Sequence, residues 1–559
     1  MSHRPTGEPV HSPNDIDRII EKMTLDQKVG QCMTLAFYGT ELTDKVIERV
    51  ETLHCGGLRI TPHVTSAGRP DIVRRLAPYH TPGQYAATLN ELQAIAAGRP
   101  LGLPLHMVTD QEGDFSVDIL RGLALFPSQM GLTATGSAAL ARRCAREVAR
   151  QLRSIGVHMI HSPVLDVNLN PRNPEIGCRS FSDSPQLCAE YGAAMMNGLS
   201  DGGIIATGKH FPGRGDSDED AHYTLPVLKA PRERLDAVEL FPYRQLIPNG
   251  LPAIMTAHNA YTALDASGTP ASISRKIVTG LLRTELGFEG VVTTDSMGME
   301  GLKAFCDEPE GCARAIAAGN DLVLVKECDD TPFEAHAAIK DAVRAGRIPE
   351  DRLNASVRRI LLMKLRHGLF GNRYVEPEQA DAVCGSASSA EAAREAAERC
   401  LTLVRDTNGL LPLSVQSRIL VVLPIHPLYH EKGNDAGHSP DRLYHAIRAR
   451  VPRPVLVEFA VPETDESIRH AVARSEPFDV VVACNLVWRG PATSHRTIRA
   501  LADAGRRVAV VSNNIYDERF LPEAQTLLVT YSGMPAGMDA AAAGLFGELE
   551  PAGRSPLTE

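Results

Sequence analysis

The sequence predicts an α/β protein: a (β/α)8 TIM barrel followed by an α/β sandwich domain. Three observations predict it. Eight short apolar runs recur between Cys32 and Lys326, separated by amphipathic stretches of helical period, which is the pattern of βα units around a parallel sheet. Ionisable or amide residues stand at the ends of five of those runs, where a barrel of this kind carries its chemistry. Beyond Arg366 the pattern changes, and a second series of β-branched runs alternates with helical stretches.

In chain order the barrel runs are Cys32–Phe37, Gly57–Thr61, Leu105–Thr109, His158–Val167, Ile204–Gly208, Ala253–Ala257, Gly290–Thr294 and Asp321–Lys326. Ala138–Leu152 and Pro231–Leu246 are the clearest amphipathic helices between them. Asp110 follows the third run, Asp166 falls near the end of the fourth, Lys209 and His210 follow the fifth, His258 and Asn259 the sixth, and Asp295 the seventh. Helix capping accounts for one or two such residues but not for all five positions. The barrel unit is expected over residues 1–375, a Gly/Ser/Ala-rich linker over 376–393, and the second unit over 394–559. In the second unit the runs are Arg418–Pro424, Val455–Ala460, Asp479–Ala483, Arg507–Ser512 and Thr526–Tyr531, with Asp441–Arg450 as a helix between the first two.

Composition narrows the function. A chain of 559 residues with 43% hydrophobic and 23% charged residues has material for two or three domain cores. The net charge of −10, with no long basic run, argues against a nucleic-acid partner and leaves a small molecule as the expected one. No stretch of 18 or more apolar residues is present, and Met1–Asn14 has no apolar signal core, so neither a membrane span nor export is expected. Eleven cysteines stand singly with no CxxC pair, which fits reduced thiols in a cytoplasmic protein and supports neither a disulfide framework nor a zinc site. The second unit lacks GxxxxGK and GxGxxG, so nucleotide binding is unsupported.

The densest chemistry lies in Lys209–His222, KHFPGRGDSDEDAH, read as an active-site loop because Pro212, Gly213 and Gly215 interrupt any regular element. Asp220 two residues before His222 can bond one imidazole nitrogen and leave the other toward a substrate, as a general acid/base requires; taken alone, the pair is more simply explained as a loop-stabilising hydrogen bond. The run Asp216–Asp220 resembles the start of a calcium loop but has Ala221 where that loop needs Gly and Val227 where it needs Glu. Asp295 closes an apolar strand, a position suited to a nucleophile or to an ion pair with Lys209 or Arg179. Arg214 is open to two readings, a surface residue or a contact to an anionic group.

These residues resemble glycoside hydrolase family 3, in its β-N-acetylglucosaminidase branch. The resemblance rests on Lys22–Gln31 (KMTLDQKVGQ), Thr109–Gly113 (TDQEG), Pro163–Asn168 (PVLDVN), Ile176–Phe181 (IGCRSF) and above all the Lys209–His222 loop. In the second unit it rests on Ala392–Val404, Leu410–Leu413 and Leu545–Arg554. It implies a retaining, exo-acting glycosidase releasing terminal β-linked N-acetylglucosamine. Asp295 is the implied nucleophile, His222 assisted by Asp220 the acid/base, and Asp110, Arg179, Lys209 and His210 hold the sugar in the −1 subsite. No cofactor and no metal are implied. Two motifs depart from the branch: Gly213-Arg214-Gly215 where it reads Gly-His-Gly, and Glu112-Gly113-Asp114-Phe115 where it reads Glu-Gly-Gly-Arg. Both lie beside the sugar-binding motifs and bear on aglycone and acetamido preference. Rival readings are a phosphorylase, whose imidazole acid/base admits phosphate where a carboxylate repels it, a deglycosylase of small metabolites, and a non-catalytic sugar binder, against which the presence of Asp295, Asp220 and His222 speaks.

Overall fold

The computed structural model describes residues 10–38, 41–61, 63–66, 69–75, 80–425, 441–487 and 494–558, so residues 1–9 of the expected polar N-terminus lie outside it. Eight parallel strands close into a barrel: β1 (Met33–Tyr38), β2 (Gly57–Thr61), β3 (His106–Thr109), β4 (Met159–Ile160), β5 (Ile205–Phe211), β6 (Ala253–Thr256), β7 (Val291–Ser296) and β8 (Leu322–Val325). Each strand pairs with its neighbour in sequence, and β8 returns to β1, with Leu35 opposite Val325. All four residues of β3, β6 and β8 are buried, as expected of strands covered on both faces.

Helices join and cover the strands. The helix Ala138–Ser154 forms because Leu140, Ala141, Cys144, Ala145, Val148, Ala149 and Leu152 repeat at helical spacing and bury one face, while the Ser137 side chain accepts a hydrogen bond from the Leu140 N–H. Where one helix was expected over Pro231–Leu246, two short ones occur, Arg232–Ala237 and Phe241–Leu246, with Pro242 at the start of the second. The expected fourth run, His158–Val167, is a strand only at Met159–Ile160, with one further bridge from Val164 to Lys209. The fifth strand extends past its expected end, so Lys209 and His210 sit on β5 rather than in a loop.

The second unit contains a six-stranded sheet: β9 (Thr402–Asp406), β10 (Ile419–Ile425), β11 (Val455–Ala460), β12 (Val480–Asn485), β13 (Val508–Ser512) and β14 (Thr526–Val529), in the order 9-14-13-12-10-11. Five strands match the expected runs; β9 is additional and pairs antiparallel with β14. Its alternation is broken by Arg405 and Asp406, which hid it from an apolar-run reading. Across the stretch expected as a linker run the helices Pro377–Val383 and Ala387–Cys400, and Ala380, Ala392, Ala393 and Ala396 of these are buried. Alanine and serine there serve close helix packing instead of an open tether.

The two units meet closely. The Ser128 N–H donates to the Tyr531 carbonyl at 3.0 Å, and Asn168 Nδ2 donates to Tyr516 Oη at 2.6 Å. The Asp114 carboxylate accepts from Asn513 Nδ2 at 2.8 Å and from the Gly533 N–H at 2.7 Å. Phe115 lies so close to Gly533 that a β-carbon there would stand 2.2 Å from its ring. The Asp114-Phe115 departure therefore takes part in the contact between the units. No helix of the described residues is long and apolar enough to cross a membrane.

Candidate active site

Every candidate residue named from the sequence lies at the C-terminal mouth of the barrel. Asp110 follows β3, Lys209 and His210 lie on β5, Asp295 lies on β7, and Arg179 and the Asp220–His222 pair come from long connections after β4 and β5. Parallel strands direct their C-terminal ends to one pole, so residues more than 180 positions apart in sequence converge.

One half of the site is a chain of ion pairs. Lys209 Nζ stands 3.2 Å from Asp110 Oδ1 and 2.6 Å from Glu112 Oε1. Arg179 grips Glu112 with two bonds, Nε to Oε2 at 2.7 Å and Nη2 to Oε1 at 2.9 Å, and gives Nη1 to the Glu175 carbonyl at 2.8 Å. Asp110 also meets Arg59 Nη2 at 2.6 Å and His161 Nδ1 at 3.4 Å. Burial works to raise the Asp110 pKa, but the Arg59 and Lys209 cations overcome it and hold the carboxyl well below the usual range. Lys209 and Glu112 are nearly inaccessible, whereas the Asp110 side chain is a third exposed. Asp110 is thus the member of this half that faces the cleft.

The other half surrounds Asp295. His210 Nδ1 lies 2.6 Å from Asp166 Oδ2, which fixes the ring, and His210 Nε2 lies 2.8 Å from Arg214 Nη2. Since an arginine nitrogen always donates, His210 Nε2 accepts and the ring is neutral with its proton on Nδ1. Burial, with the Arg214 and Lys209 charges adding to it, pushes the His210 pKa well below its ordinary value, in agreement. Arg214 Nη2 also stands 3.5 Å from Asp295 Oδ2 and 3.4 Å from Glu175 Oε1. Of its two sequence readings the surface one fails: Arg214 is 1% exposed. Burial would raise the Asp295 pKa, yet Arg214, His258 and His222 together bring it down to about 2, so the carboxylate is ionised at any working pH.

The acid/base candidate sits on the far side of Glu175. His222 Nδ1 is 2.7 Å from Asp220 Oδ1 and 3.0 Å from Glu175 Oε1, and the His222 N–H donates to Asp220 Oδ1 at 2.8 Å. Glu175 Oε2 accepts from the Ala221 N–H at 3.2 Å, pinning the loop that carries the pair. A continuous polar path therefore runs from His222 through Glu175 and Arg214 to Asp295. The His222 side chain is about a third exposed. Among the described residues, Glu175, Asp220 and His222 bring donor atoms within 4.8 Å of one another, the spacing a metal ion would need. Asp220 Oδ1 is bonded to the His222 ring and N–H, and Glu175 Oε2 to the Ala221 N–H.

Sequence reasoning assigned no role to Glu112, Glu175 or Arg59. Glu112 stood inside the quoted TDQEG motif and Glu175 one residue before IGCRSF, so proximity to motifs was the available signal.

Comparison with known proteins agrees with this geometry. The family model described as the glycosyl hydrolase family 3 N-terminal domain matches residues 24–363. A protein of Cellulomonas fimi named β-N-acetylglucosaminidase/β-glucosidase is 28% identical over 565 aligned residues, covering 96% of this chain and 94% of that one. A β-hexosaminidase A of Pseudoalteromonas piscicida is 31% identical over 363 aligned residues, and the match spans only 60% of its length. A solved family 3 β-N-acetylglucosaminidase from Paenibacillus sp. str. FPU-7 superposes with a TM-score of 0.85 at 32% identity, covering 96% of this chain and 99% of that one. With the barrel, the KHFPGRG strand and loop, and a family match over more than half of its residues, the chain belongs to glycosyl hydrolase family 3.

Proposed function

We propose that the chain is a β-N-acetylhexosaminidase, an exo-acting retaining glycosidase that releases terminal β-linked N-acetylglucosamine. One observation carries the reading: an ionised Asp295 and the Asp220–His222 pair flank one cleft and are joined by the Glu175–Arg214 bridge. Asp295 Oδ attacks the anomeric carbon and forms a glycosyl ester while His222 gives a proton to the departing glycosidic oxygen. The imidazole then takes a proton from water, the water oxygen attacks the same carbon, and Asp295 leaves. Asp220 holds His222 Nδ1 and keeps the other nitrogen toward the leaving group. Asp110 and Lys209 hold the hydroxyls of the −1 sugar. Arg179 and His210 complete that subsite by fixing Glu112 and Asp166 around them. No cofactor enters these steps.

The names and activities of the relatives named above support the N-acetylglucosamine preference. The buried Arg214 cation, 3.5 Å from Asp295, favours a second reading in which phosphate replaces water as acceptor. Within the chain we propose the barrel over residues 1–375 and the second unit over 394–559. Eleven free thiols, eight of them buried, support a cytoplasmic location.

The test is turnover of 4-nitrophenyl β-N-acetylglucosaminide and of an alkyl glycoside, with and without phosphate. Free N-acetylglucosamine in both conditions supports the hydrolase, and a phosphate-dependent sugar 1-phosphate the phosphorylase. Asp295→Ala should abolish turnover on both substrates. His222→Ala should retain activity on the nitrophenyl glycoside, whose leaving group needs little protonation, and lose about 100-fold or more on the alkyl glycoside. Equal losses on the two would remove His222 from the acid/base role.

A further inference from the structure

His258 stands two residues past β6 and takes no part in the proposed reaction, yet its ring is fully buried and engaged at both nitrogens. Nδ1 lies 2.8 Å from Ser272 Oγ, and Nε2 lies 2.9 Å from the Ser296 carbonyl oxygen. A carbonyl only accepts, so Nε2 carries a proton. The Ser272 hydroxyl donates or accepts as Nδ1 requires, so the Nε2–H is kept in either charge state of the ring. Ser272 is itself buried and tied down: its N–H donates to the Ala257 carbonyl at 3.0 Å, and its carbonyl accepts from Asn320 Nδ2 at 2.7 Å.

The group that His258 holds belongs to the residue after Asp295. Between β7 and β8 the register shifts: Thr293 pairs with Leu322 and Ser296 with Leu324, so three steps along β7 match two along β8. The stretch of β7 that holds Asp295 therefore carries one extra residue, a bulge, which re-aims side chains and leaves backbone groups outside the ladder. Those groups are met in other ways. The Leu324 N–H goes to Thr294 Oγ1 at 3.1 Å, the Lys326 N–H to Glu327 Oε2 at 3.0 Å, and the Ser296 carbonyl accepts from His258. The Met297 N–H donates to the Leu324 carbonyl at 2.9 Å, so the peptide unit between Ser296 and Met297 is gripped at both its oxygen and its nitrogen. On the other side of Ser296, its own N–H donates to Asp295 Oδ1 at 2.8 Å. That bond leaves Oδ2 as the oxygen turned to Arg214 Nη2, 3.5 Å away, and to His210 Nε2, 3.9 Å away.

We infer that His258 is a positioning residue for Asp295: its Nε2–H fixes the Ser296–Met297 peptide, the fixed peptide aims the Ser296 N–H at Asp295 Oδ1, and the carboxylate is held in one orientation toward the anomeric carbon. This inference deepens the glycosidase reading and rests on it. Without the Nε2–H the peptide is held through its nitrogen alone and the carboxylate loses its fixed support. Misplacing a reacting group by about 1 Å costs about 100-fold in rate. A fully buried His258 does not touch the sugar, so its loss falls on the rate of attack and not on binding.

The experiment measures kcat and KM of the full-length wild type, His258→Met and His258→Gln on an alkyl β-N-acetylglucosaminide, a poor leaving group that makes attack by Asp295 the slow step. Glutamine places an amide N–H where Nε2 stood, and methionine fills a similar volume without a donor. His258→Met is expected to lose about 100-fold in kcat with KM within about twofold of wild type, and His258→Gln to stay within about tenfold in kcat. Should His258→Met fail to fold, His258→Asn replaces it, being polar but too short to reach the Ser296 carbonyl. Wild-type kcat without the donor overturns the inference. Equal losses in the Gln and Met variants overturn it too, because ring shape and not the donor would then matter, and a change confined to KM assigns His258 to sugar binding instead. In these three outcomes the wild type still cleaves, so the glycosidase reading stands. A wild type silent on the glycoside overturns that reading, and this inference with it.

Discussion

At Asp295 two large effects oppose each other. Burial favours the neutral acid, and the guanidinium of Arg214 at 3.5 Å is the largest influence favouring the carboxylate. The balance leaves the pKa at about 2, below that of an ordinary aspartate, so the proposed nucleophile stays ionised in acid. Removing the cation should reverse the outcome. In Arg214→Met the Asp295 pKa is expected to rise, and the ratio of kcat/KM at pH 4.5 to that at pH 7 should fall below that of wild type as protonated Asp295 becomes populated in acid. An unchanged ratio would show that His258 and His222 suffice to hold the charge. The same arginine donates to His210, so a single side chain sets both the tautomer of one ring and the charge of Asp295.

At the scale of elements, the strand β5 and the loop after it form one device. Strand β5 delivers Lys209 and His210 into the mouth, and the chain then turns at Gly213 (φ 135°), whose carbonyl accepts from Tyr261 Oη at 2.8 Å. Gly215 packs directly against the connection after β4: a β-carbon there would stand 1.8 Å from the Val167 carbonyl oxygen. Since that contact is with backbone, no side-chain rotation relieves it. The Gly215 carbonyl in turn accepts from the Asn170 N–H at 3.2 Å. Gly215→Ala should therefore unseat the segment carrying Asp220 and His222, lowering kcat by about 100-fold through misplacement alone. Thermal stability should fall by only a few degrees, because the barrel core is untouched. Full activity in that variant would mean the loop tolerates a different path.

The whole molecule is tied together at Asp114. Its carboxyl bridges the barrel to Asn513 and Gly533, and burial outweighs those hydrogen bonds to raise its pKa to about 7. The folded state keeps this proton up to about pH 7, whereas the unfolded chain releases it near the ordinary aspartate value of 3.8. Between those pH values the folded state binds more protons, so this group's contribution to stability is full below the unfolded pKa and declines as pH rises toward 7. Asp114→Asn is a fitting probe because asparagine tolerates the φ of 47° at this position. The variant should show a flatter dependence of Tm on pH between 4 and 8 than wild type. Equal slopes would show that Asp114 does not titrate in that window. The Asp114-Phe115 departure thus bears on the union of barrel and second sheet, and the Arg214 departure on the charge and hydrogen bonding of Asp295 and His210.

What the sequence by itself determined is the set of strands and the residues at their ends. Apolar runs are local features, and parallel strands send their C-terminal residues to one pole, so Asp110, Lys209, His210 and Asp295 were legible without coordinates. The Asp220–His222 contact was legible too, since two residues of one loop are close in any fold. Element lengths were less so: β5 ran three residues beyond its glycine-bounded reading to include Lys209, His210 and Phe211, and the 376–393 stretch became packed helices because burial against the barrel outweighs weak local preference. Only the tertiary structure decided who pairs with whom across the mouth. Barrel closure places Glu175 between His222 and Arg214 and puts Arg214 beside Asp295. Electrostatic pairing depends on distances of 3 to 4 Å set by strands far apart in sequence, and no local pattern encodes them.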